Sequence, residues 1–210
     1  MKKSLLAALS LMALAACGGG EEARAPANDA PAAELAVTDF AGANLWVVDR
    51  EASMIGFVAS QNQREFEGSF GRWDASILLN PEDPEAEGQL EAVVDLSSVD
   101  AGSRDRNEAL PEEGWFNTAL HPTATYRSTG ITAIDGENYV AEGTLTIKGV
   151  TQPVTMPFTL RITEDGRAIA DGSVELDRSQ FGIGQGEFAD DRWVGFGVEV
   201  RLHMEATPAE

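Results

Sequence analysis

From Asn44 onward the chain consists of short apolar or alternating runs that end at turn residues, and this pattern constrains the fold most. Asp135-Gly136 and Asp165-Gly166 each separate two β-rich runs, which is the composition of a tight hairpin. The last run has apolar residues at every second position from Val194 onward, as in a strand with one buried face. These runs predict about eight to ten strands. Tight turns between strands favour an antiparallel sandwich or a closed barrel, and closure removes exposed edges.

A helical pattern falls on residues 104–118, which read RDRNEALPEEGWFNT. Pro111 interrupts it, so we expect two short helical turns that cross between strands. Trp115 and Phe116 are adjacent in this segment, although a solvated helix does not need two neighbouring aromatic residues. The crossing segment is therefore expected to turn apolar side chains toward the interior.

The first residues have the composition of an export signal. Met1, Lys2 and Lys3 make a basic start, and the following apolar run is too short for a permanent bilayer span. Residues 14–17, LAAC, resemble a bacterial lipobox, which implies that Cys17 is lipidated. The alternative is an ordinary secretory signal in which Cys17 is incidental. Gly18 favours the outer membrane over the inner one, by resemblance to bacterial sorting rules.

The domain boundaries follow from these features. Residues 1–16 are predicted to be a signal peptide, and residues 17–43 a lipidated cysteine followed by a flexible acidic tether rich in small residues and proline. Residues 44–210 form the single folded domain. We expect an exported protein on the periplasmic face of the cell envelope, and whether it forms a homodimer is left open.

Charge and motif content exclude several classes of function. The formal net charge is -20, so the surface repels nucleic acid phosphates. His121 and His203 have no metal-ligand spacing, and Glu187, Asp190 and Asp191 lack the alternation of a calcium loop. No G-x-S-x-G elbow is present, and the domain has no cysteine that could act as a nucleophile. We therefore expect no metal, no cofactor and no enzymatic activity.

Apolar and aromatic residues are abundant on the predicted strands, sometimes on both faces. A small barrel either fills its interior with side chains or encloses one apolar ligand. Inward-facing glycines, such as Gly68, Gly143, Gly195 and Gly197, would leave room rather than fill it. For any single apolar residue, ordinary core packing remains the default interpretation.

Four segments together resemble one known family. GTLTIKGVTQPVTMPFTL (143–160), DRSQFGIGQG (177–186), WVVDREASMIGFV (46–58) and the crossing segment with its flanks (98–128) look like the YceI-like family of lipid-binding proteins. The resemblance extends over nearly all of residues 44–206, in family order. It implies an all-β, lipocalin-like, extended antiparallel barrel whose apolar cavity binds a polyisoprenoid chain or a similar amphiphile.

Carried over position by position, the resemblance implies a set of cavity-lining residues on the strands and the crossing segment. These are Phe57, Phe70, Trp73, Ile77, Val93, Trp115, Phe116, Tyr126, Leu145, Phe158, Phe181 and Phe196. Arg104 and Asp105 fall in the family's R-D segment, where they meet a headgroup or fix the loop; a local cap explains the pair equally well.

Three functions remain open at this point. The first is an isoprenoid- or quinone-binding carrier, holder or sensor, which predicts an internal apolar cavity. The second is an enzyme that acts on such a lipid, with Tyr126 or His203 converging on the cavity. The third is an envelope scaffold with a filled barrel. The first is favoured and the enzyme is the least favoured.

Overall fold

Antiparallel strand pairing closes the chain into a barrel. The computed structural model describes residues 33–209, so the predictions for the signal peptide and for Cys17 lie outside the described residues. The strands are β1 (Leu45–Val48), β2 (Met54–Gln61), β3 (Arg64–Phe70), β4 (Trp73–Leu78), β5 (Gln89–Asp95), β6 (Val99–Asp100), β7 (Thr123–Asp135), β8 (Asn138–Ile147), β9 (Val150–Ile162), β10 (Ala168–Asp177) and β11 (Gly197–Pro208). The α-helices are α1 (Pro84–Glu87) and α2 (Arg104–Ala109), and 3-10 turns cover Leu96–Ser98, Arg178–Phe181 and Gly186–Phe188.

Eight of the strands form the closed wall, in the order β1-β4-β5-β7-β8-β9-β10-β11, and β1 also pairs with β11. The long strand β11 pairs with β1 near its end, from Ala206 to Pro208, and with β2 earlier, from Glu199 to His203. Strands β3 and β6 continue the sheet beyond β2. The strand pattern left a sandwich or a closed barrel open, and the closed antiparallel barrel that the family resemblance implied is confirmed.

The hairpins lie where the turn residues predicted them. Gly136 and Gly166 have φ values of 47° and 82°, in the left-handed region that glycine adopts without steric cost. A third tight hairpin joins β8 to β9 through Lys148 and Gly149, both with positive φ, as in a type I′ turn. The Asp-Gly dipeptides were thus reliable local signals.

The crossing segment contains one helix rather than the two helical turns expected. Helix α2 ends at Ala109, two residues before Pro111, and turns lead from there to Leu120. Proline cannot continue the helical hydrogen-bond pattern, and the residue before it avoids the helical region. Neither helix among the described residues has the length and apolar character needed to span a bilayer.

Residues 33–40 have no regular secondary structure and lie against the outer face of β5, and we call them the strap. The Ala33 amide donates to Asp95 Oδ2 at 3.0 Å, and the Thr38 amide donates to Glu91 Oε2 at 2.8 Å. Val93 lies between the two carboxylates on the same face and is buried. These two contacts hold residues 33–40, the last part of the predicted tether that the structure describes, against the barrel.

Candidate functional site: two adjoining apolar chambers

Apolar side chains line two chambers inside the barrel. Chamber A has a volume of about 420 Å³. It lies at the end of the barrel that carries α2 and the 3-10 turns of residues 178–188. Its aromatic lining residues are Phe57, Phe66, Phe70, Trp115, Phe116, Phe181 and Phe188.

Chamber B, with a volume of about 170 Å³, continues toward the other end of the barrel. Its larger lining residues include Trp46, Ile77, Tyr126, Met156, Phe158, Leu160 and Leu202. Six residues line both chambers: Ile55, Val94, Ala124, Leu145, Leu176 and Val200. Since these side chains form a shared wall, the two chambers together make an elongated apolar space along the barrel.

Polar side chains reach this space at the chamber A end. Ser103, Asp105 and Arg106 come from α2 and its cap, and Gln61 comes from the end of β2. The Arg106 guanidinium donates to Gln61 Oε1 at 3.2 Å and to the Ala101 carbonyl at 2.8 Å. It also lies 4.1 Å from the centre of the Phe66 ring, a cation–π contact. The lining of chamber A therefore combines polar groups at one end with apolar side chains elsewhere.

Arg178 organises the wall of chamber A through backbone carbonyl groups. It is only 4% exposed, and its five N–H donors reach six backbone carbonyl oxygens at 2.7–3.1 Å. The acceptors are the carbonyls of Ile183, Gly184, Phe188, Asp190, Val194 and Gly195. Burial lowers the pKa of Arg178, and the charges of Asp177, Asp190 and Asp191 partly oppose that shift.

Three of the residues whose carbonyls Arg178 holds, Ile183, Phe188 and Val194, also line chamber A. The guanidinium lies 5.8 Å from the Trp115 ring and 5.2 Å from the Phe196 ring. One buried cation therefore shapes a long loop into part of the chamber wall.

In chamber B, Tyr126 presents its ring to the cavity. Its hydroxyl donates to the Ala141 carbonyl at 2.9 Å. Burial, with a contribution from the charge of Glu142, raises the pKa of Tyr126 to about 12. The phenol is held neutral and already hydrogen-bonded, which makes it a poor general base at neutral pH.

Nine of the twelve predicted lining residues lie on the chambers. Phe57, Phe70, Trp115, Phe116 and Phe181 line chamber A, and Ile77, Tyr126 and Phe158 line chamber B, while Leu145 lines both.

The other three predicted lining residues lie elsewhere. Trp73 is paired with Val94 but is packed under the Arg50 guanidinium, 5.9 Å from its ring. Val93 is on the outer face of β5 because strand residues alternate, and Ala92 and Val94 face the chambers instead. Phe196 lies in a groove on the outside of the barrel.

The two charged residues predicted for the site also differ in position. Asp105 lines chamber A, whereas the Arg104 side chain is exposed and pairs with Glu108 at 2.7 Å. Sequence reasoning missed Arg106 and Arg178. The sequence feature that could have indicated Arg178 is its position, as a basic residue between the β-rich run 167–177 and the glycine-rich stretch 181–186.

The glycines that were predicted to face inward do not enlarge the cavity. A Cβ on Gly68 would lie 2.3 Å from Cζ of Phe57, and one on Gly143 would lie 2.8 Å from Cζ of Tyr126. Neighbouring aromatic rings therefore occupy the space over both glycines. Gly195 and Gly197 are approached instead by Ser60 and by Glu175.

No group of three or more His, Cys, Asp or Glu residues within positions 33–209 could hold a metal ion. His203 contacts Asp171 at 2.6 Å and Glu205 at 3.6 Å, away from both chambers. Of the described side chains, every buried nitrogen and oxygen has a hydrogen-bond partner. What the described residues offer at this place is an enclosed space with a mainly apolar lining.

Comparison with known proteins agrees with this architecture. The profile of the YceI-like domain matches residues 46–206. A UPF0312 protein of Photorhabdus laumondii is 34% identical over 89 residues, which cover 42% of this chain and 45% of that protein. A UPF0312 protein of Pseudomonas aeruginosa is 32% identical over 121 residues, which cover 55% of this chain and 62% of that protein. The chain thus spans about half to three fifths of these curated relatives.

Solved structures with the same fold are also known. BcnA of Burkholderia cenocepacia superposes with a TM-score of 0.73 at 30% identity, over 77% of this chain and all of that chain. A polyisoprenoid-binding domain from Saccharophagus degradans superposes with a TM-score of 0.64 at 18% identity, over 80% of this chain and all of that one. At 18% identity, the similarity to the Saccharophagus degradans domain shows a shared fold.

Proposed function

The chain belongs to the YceI-like domain family, and from that premise we propose that its barrel binds a long-chain isoprenoid amphiphile, such as a polyprenol or an isoprenoid quinone. The observation that carries the proposal is the pair of adjoining apolar chambers inside one closed wall. That the structural neighbour from Saccharophagus degradans is a polyisoprenoid-binding domain supports the choice of ligand class.

The chemistry of the lining supports an amphiphile with its head at the chamber A end. Each buried methylene group contributes about 0.8 kcal/mol, so a long chain gains much by leaving water for this space. Ser103, Asp105, Arg106 and Gln61 offer donors and acceptors at one end only. A polar head is accommodated there, while the hydrocarbon tail extends into chamber B.

We propose that the protein is an exported lipoprotein, lipidated at Cys17, that holds or carries this lipid on the periplasmic side of the envelope without converting it. Ala33, at the start of the strap, lies beside Asp95 at the chamber A end of β5. The chain between Cys17 and Ala33 reaches at most about 55 Å when fully extended, so a lipidated Cys17 would keep the barrel close to the membrane.

The test is native mass spectrometry of the full chain, purified gently from an exporting bacterial host, followed by organic extraction. The proposal expects one long-chain isoprenoid or quinone per chain. Ala124→Phe, at the junction of the two chambers, is expected to abolish the bound mass, and Thr129→Phe, exposed on the same strand, to retain it. A parent protein that is empty and takes up no added isoprenoid would instead favour an envelope scaffold.

A further inference from the structure

The barrel wall contains a seam where two neighbouring strands stop pairing. Strands β9 and β10 are paired from Ile162 and Ala168 down to Phe158 and Gly172. Beyond that point β9 continues along β8 to Val150, and β10 continues along β11 to Asp177. Residues 150–157 and 173–177 therefore face each other without ladder pairing, and we call this stretch the seam.

Two prolines explain why pairing ends there. Pro153 and Pro157 lie four residues apart in β9, so their backbone groups point to the same side. Pairing of β9 with β8 continues through both positions, so the side without an N–H faces β10. A Cβ on Gly172 would lie 3.0 Å from the Pro157 carbonyl oxygen, which places that oxygen on the β10 side. The missing donors prevent the ladder from extending.

The seam is also the place where the barrel wall is thin. Val154, Val174 and Leu176 line chamber B, and the same three residues line a groove of about 420 Å³ on the outside of the barrel. Phe181 lines both this groove and chamber A. The groove also contains the half-buried Phe196, one of the predicted cavity residues that the chambers left out. Apolar surface thus continues from the chambers to the exterior.

Little polar structure holds the seam shut. Gln152 Nε2 donates to the Gln180 carbonyl at 3.2 Å in an exposed contact. The side chains that separate the groove from chamber B, those of Val154, Val174 and Leu176, are aliphatic. Rotamer changes of such side chains are fast compared with the breaking of hydrogen bonds between two strands. Opening at this place therefore costs less than opening anywhere along a paired part of the wall.

Resting on the proposed function, we propose that the seam is a lateral port through which the hydrocarbon chain of the bound amphiphile enters and leaves the barrel. A long chain that enters sideways keeps its polar head at the chamber A end. Entry from that end alone would thread the whole tail past Asp105 and Arg106. The groove, in which Phe181 and Phe196 lie beside polar residues such as Glu175, is the surface that the tail meets first.

The test closes the seam covalently and measures lipid exchange. Thr155→Cys and Glu175→Cys would lie opposite each other if the register of the paired part continued. Both residues are exposed, and Cys17→Ser in the full chain leaves the introduced pair as the only thiols. The matched control is Arg161→Cys with Ile169→Cys, which are paired on the same two strands beyond the seam. Each pair is crosslinked by oxidation or by a short bis-maleimide.

Radiolabelled decaprenol in phosphatidylcholine vesicles is the probe, and uptake and release by the protein are timed. Crosslinking the seam is expected to slow both rates by about tenfold or more, with unchanged capacity at equilibrium, because a gate is closed while the chambers stay intact. Reduction of the disulfide restores the rates, and the control pair changes neither. Rates within a factor of about two of the uncrosslinked protein would overturn the port.

A second variant removes the proposed cause of the seam. Pro153→Thr with Pro157→Thr supplies two N–H donors toward β10 and is expected to slow exchange in the same direction as the crosslink. If this variant folds and exchanges decaprenol as fast as the parent, the port is overturned. If the parent itself takes up no decaprenol, the proposed function fails and the port fails with it.

Discussion

Arg178 provides the sharpest test of how the chamber is built. The proposed change is Arg178→Lys, which keeps the positive charge but replaces the planar five-donor fork with a compact ammonium that has three donors. Six backbone carbonyls depend on the present side chain at 2.7–3.1 Å. They cannot all be reached from the single nitrogen of a lysine.

The magnitude follows from the acceptors left without a partner. If at least three carbonyls lose their donor, and each loss costs about 1–1.5 kcal/mol, the free energy of unfolding falls by about 3–5 kcal/mol. A domain of this size has about 5–15 kcal/mol in total, so the effect is a large fraction of its stability. The wall of chamber A is expected to loosen as well, because Ile183, Phe188 and Val194 lose their common anchor.

The assay is equilibrium unfolding in urea, followed by far-UV circular dichroism and by tryptophan emission. Trp115 lies 5.2 Å from Phe188 and 5.8 Å from the Arg178 guanidinium, so its emission should also shift in the folded variant. Arg104→Lys is the matched control, since Arg104 is exposed and makes a surface pair whose loss changes stability little. A free energy of unfolding for Arg178→Lys within about 1 kcal/mol of the parent would refute the reasoning.

Three further predictions concern single groups. Thr38→Pro removes the amide N–H that anchors the strap and is expected to lower the free energy of unfolding in urea by about 1–3 kcal/mol. The control Ala36→Pro, exposed on the same strap, should lower it less, and equal decreases would contradict the assigned anchor. In a spectrophotometric titration, one of the two tyrosines should ionise near pH 12, and that step should vanish in Tyr126→Phe rather than persist. The hydrogen bond that the His203 ring donates to Asp171 raises the pKa of His203. The stabilising effect of this contact is therefore fully present below about pH 6.5 and is lost as pH rises through the folded pKa. The stability difference between parent and His203→Gln should therefore be larger at acidic than at alkaline pH, and a difference that grows on the alkaline side would contradict this sign.

From the sequence alone the strands and their turns could be predicted, and the family resemblance favoured a closed barrel with an apolar interior over a sandwich. The alternation of apolar and polar residues along a strand predicts which residues share a face. The dipeptides Asp135-Gly136 and Asp165-Gly166 predict where the chain reverses direction. These are local properties, because they depend on residues two to four positions apart. The family resemblance added which face encloses a cavity, and nine of its twelve residues lie on the chambers.

What covers each face of a strand depends on tertiary contacts. Alternation correctly separates Val93 from its neighbours on β5, but it does not reveal that the strap buries the outer face. Trp73 pairs with the inward-facing Val94 and yet lines neither chamber, and the Arg50 guanidinium lies 5.9 Å from its ring. Burial of a side chain depends on segments that are distant in sequence, and a short-range pattern does not predict which segment packs against a given face.

The functional details that matter most here depend on such distant contacts. Arg178 finds its six acceptors in a loop that begins five residues and ends 17 residues further along the chain. The consequence of Pro153 and Pro157 depends on which neighbour strand their nitrogen atoms face. The strands and their turns therefore follow from the sequence. The chamber wall and its seam depend on which strands lie side by side. Hydrogen bonding between strands is a property of the pair and not of either strand alone.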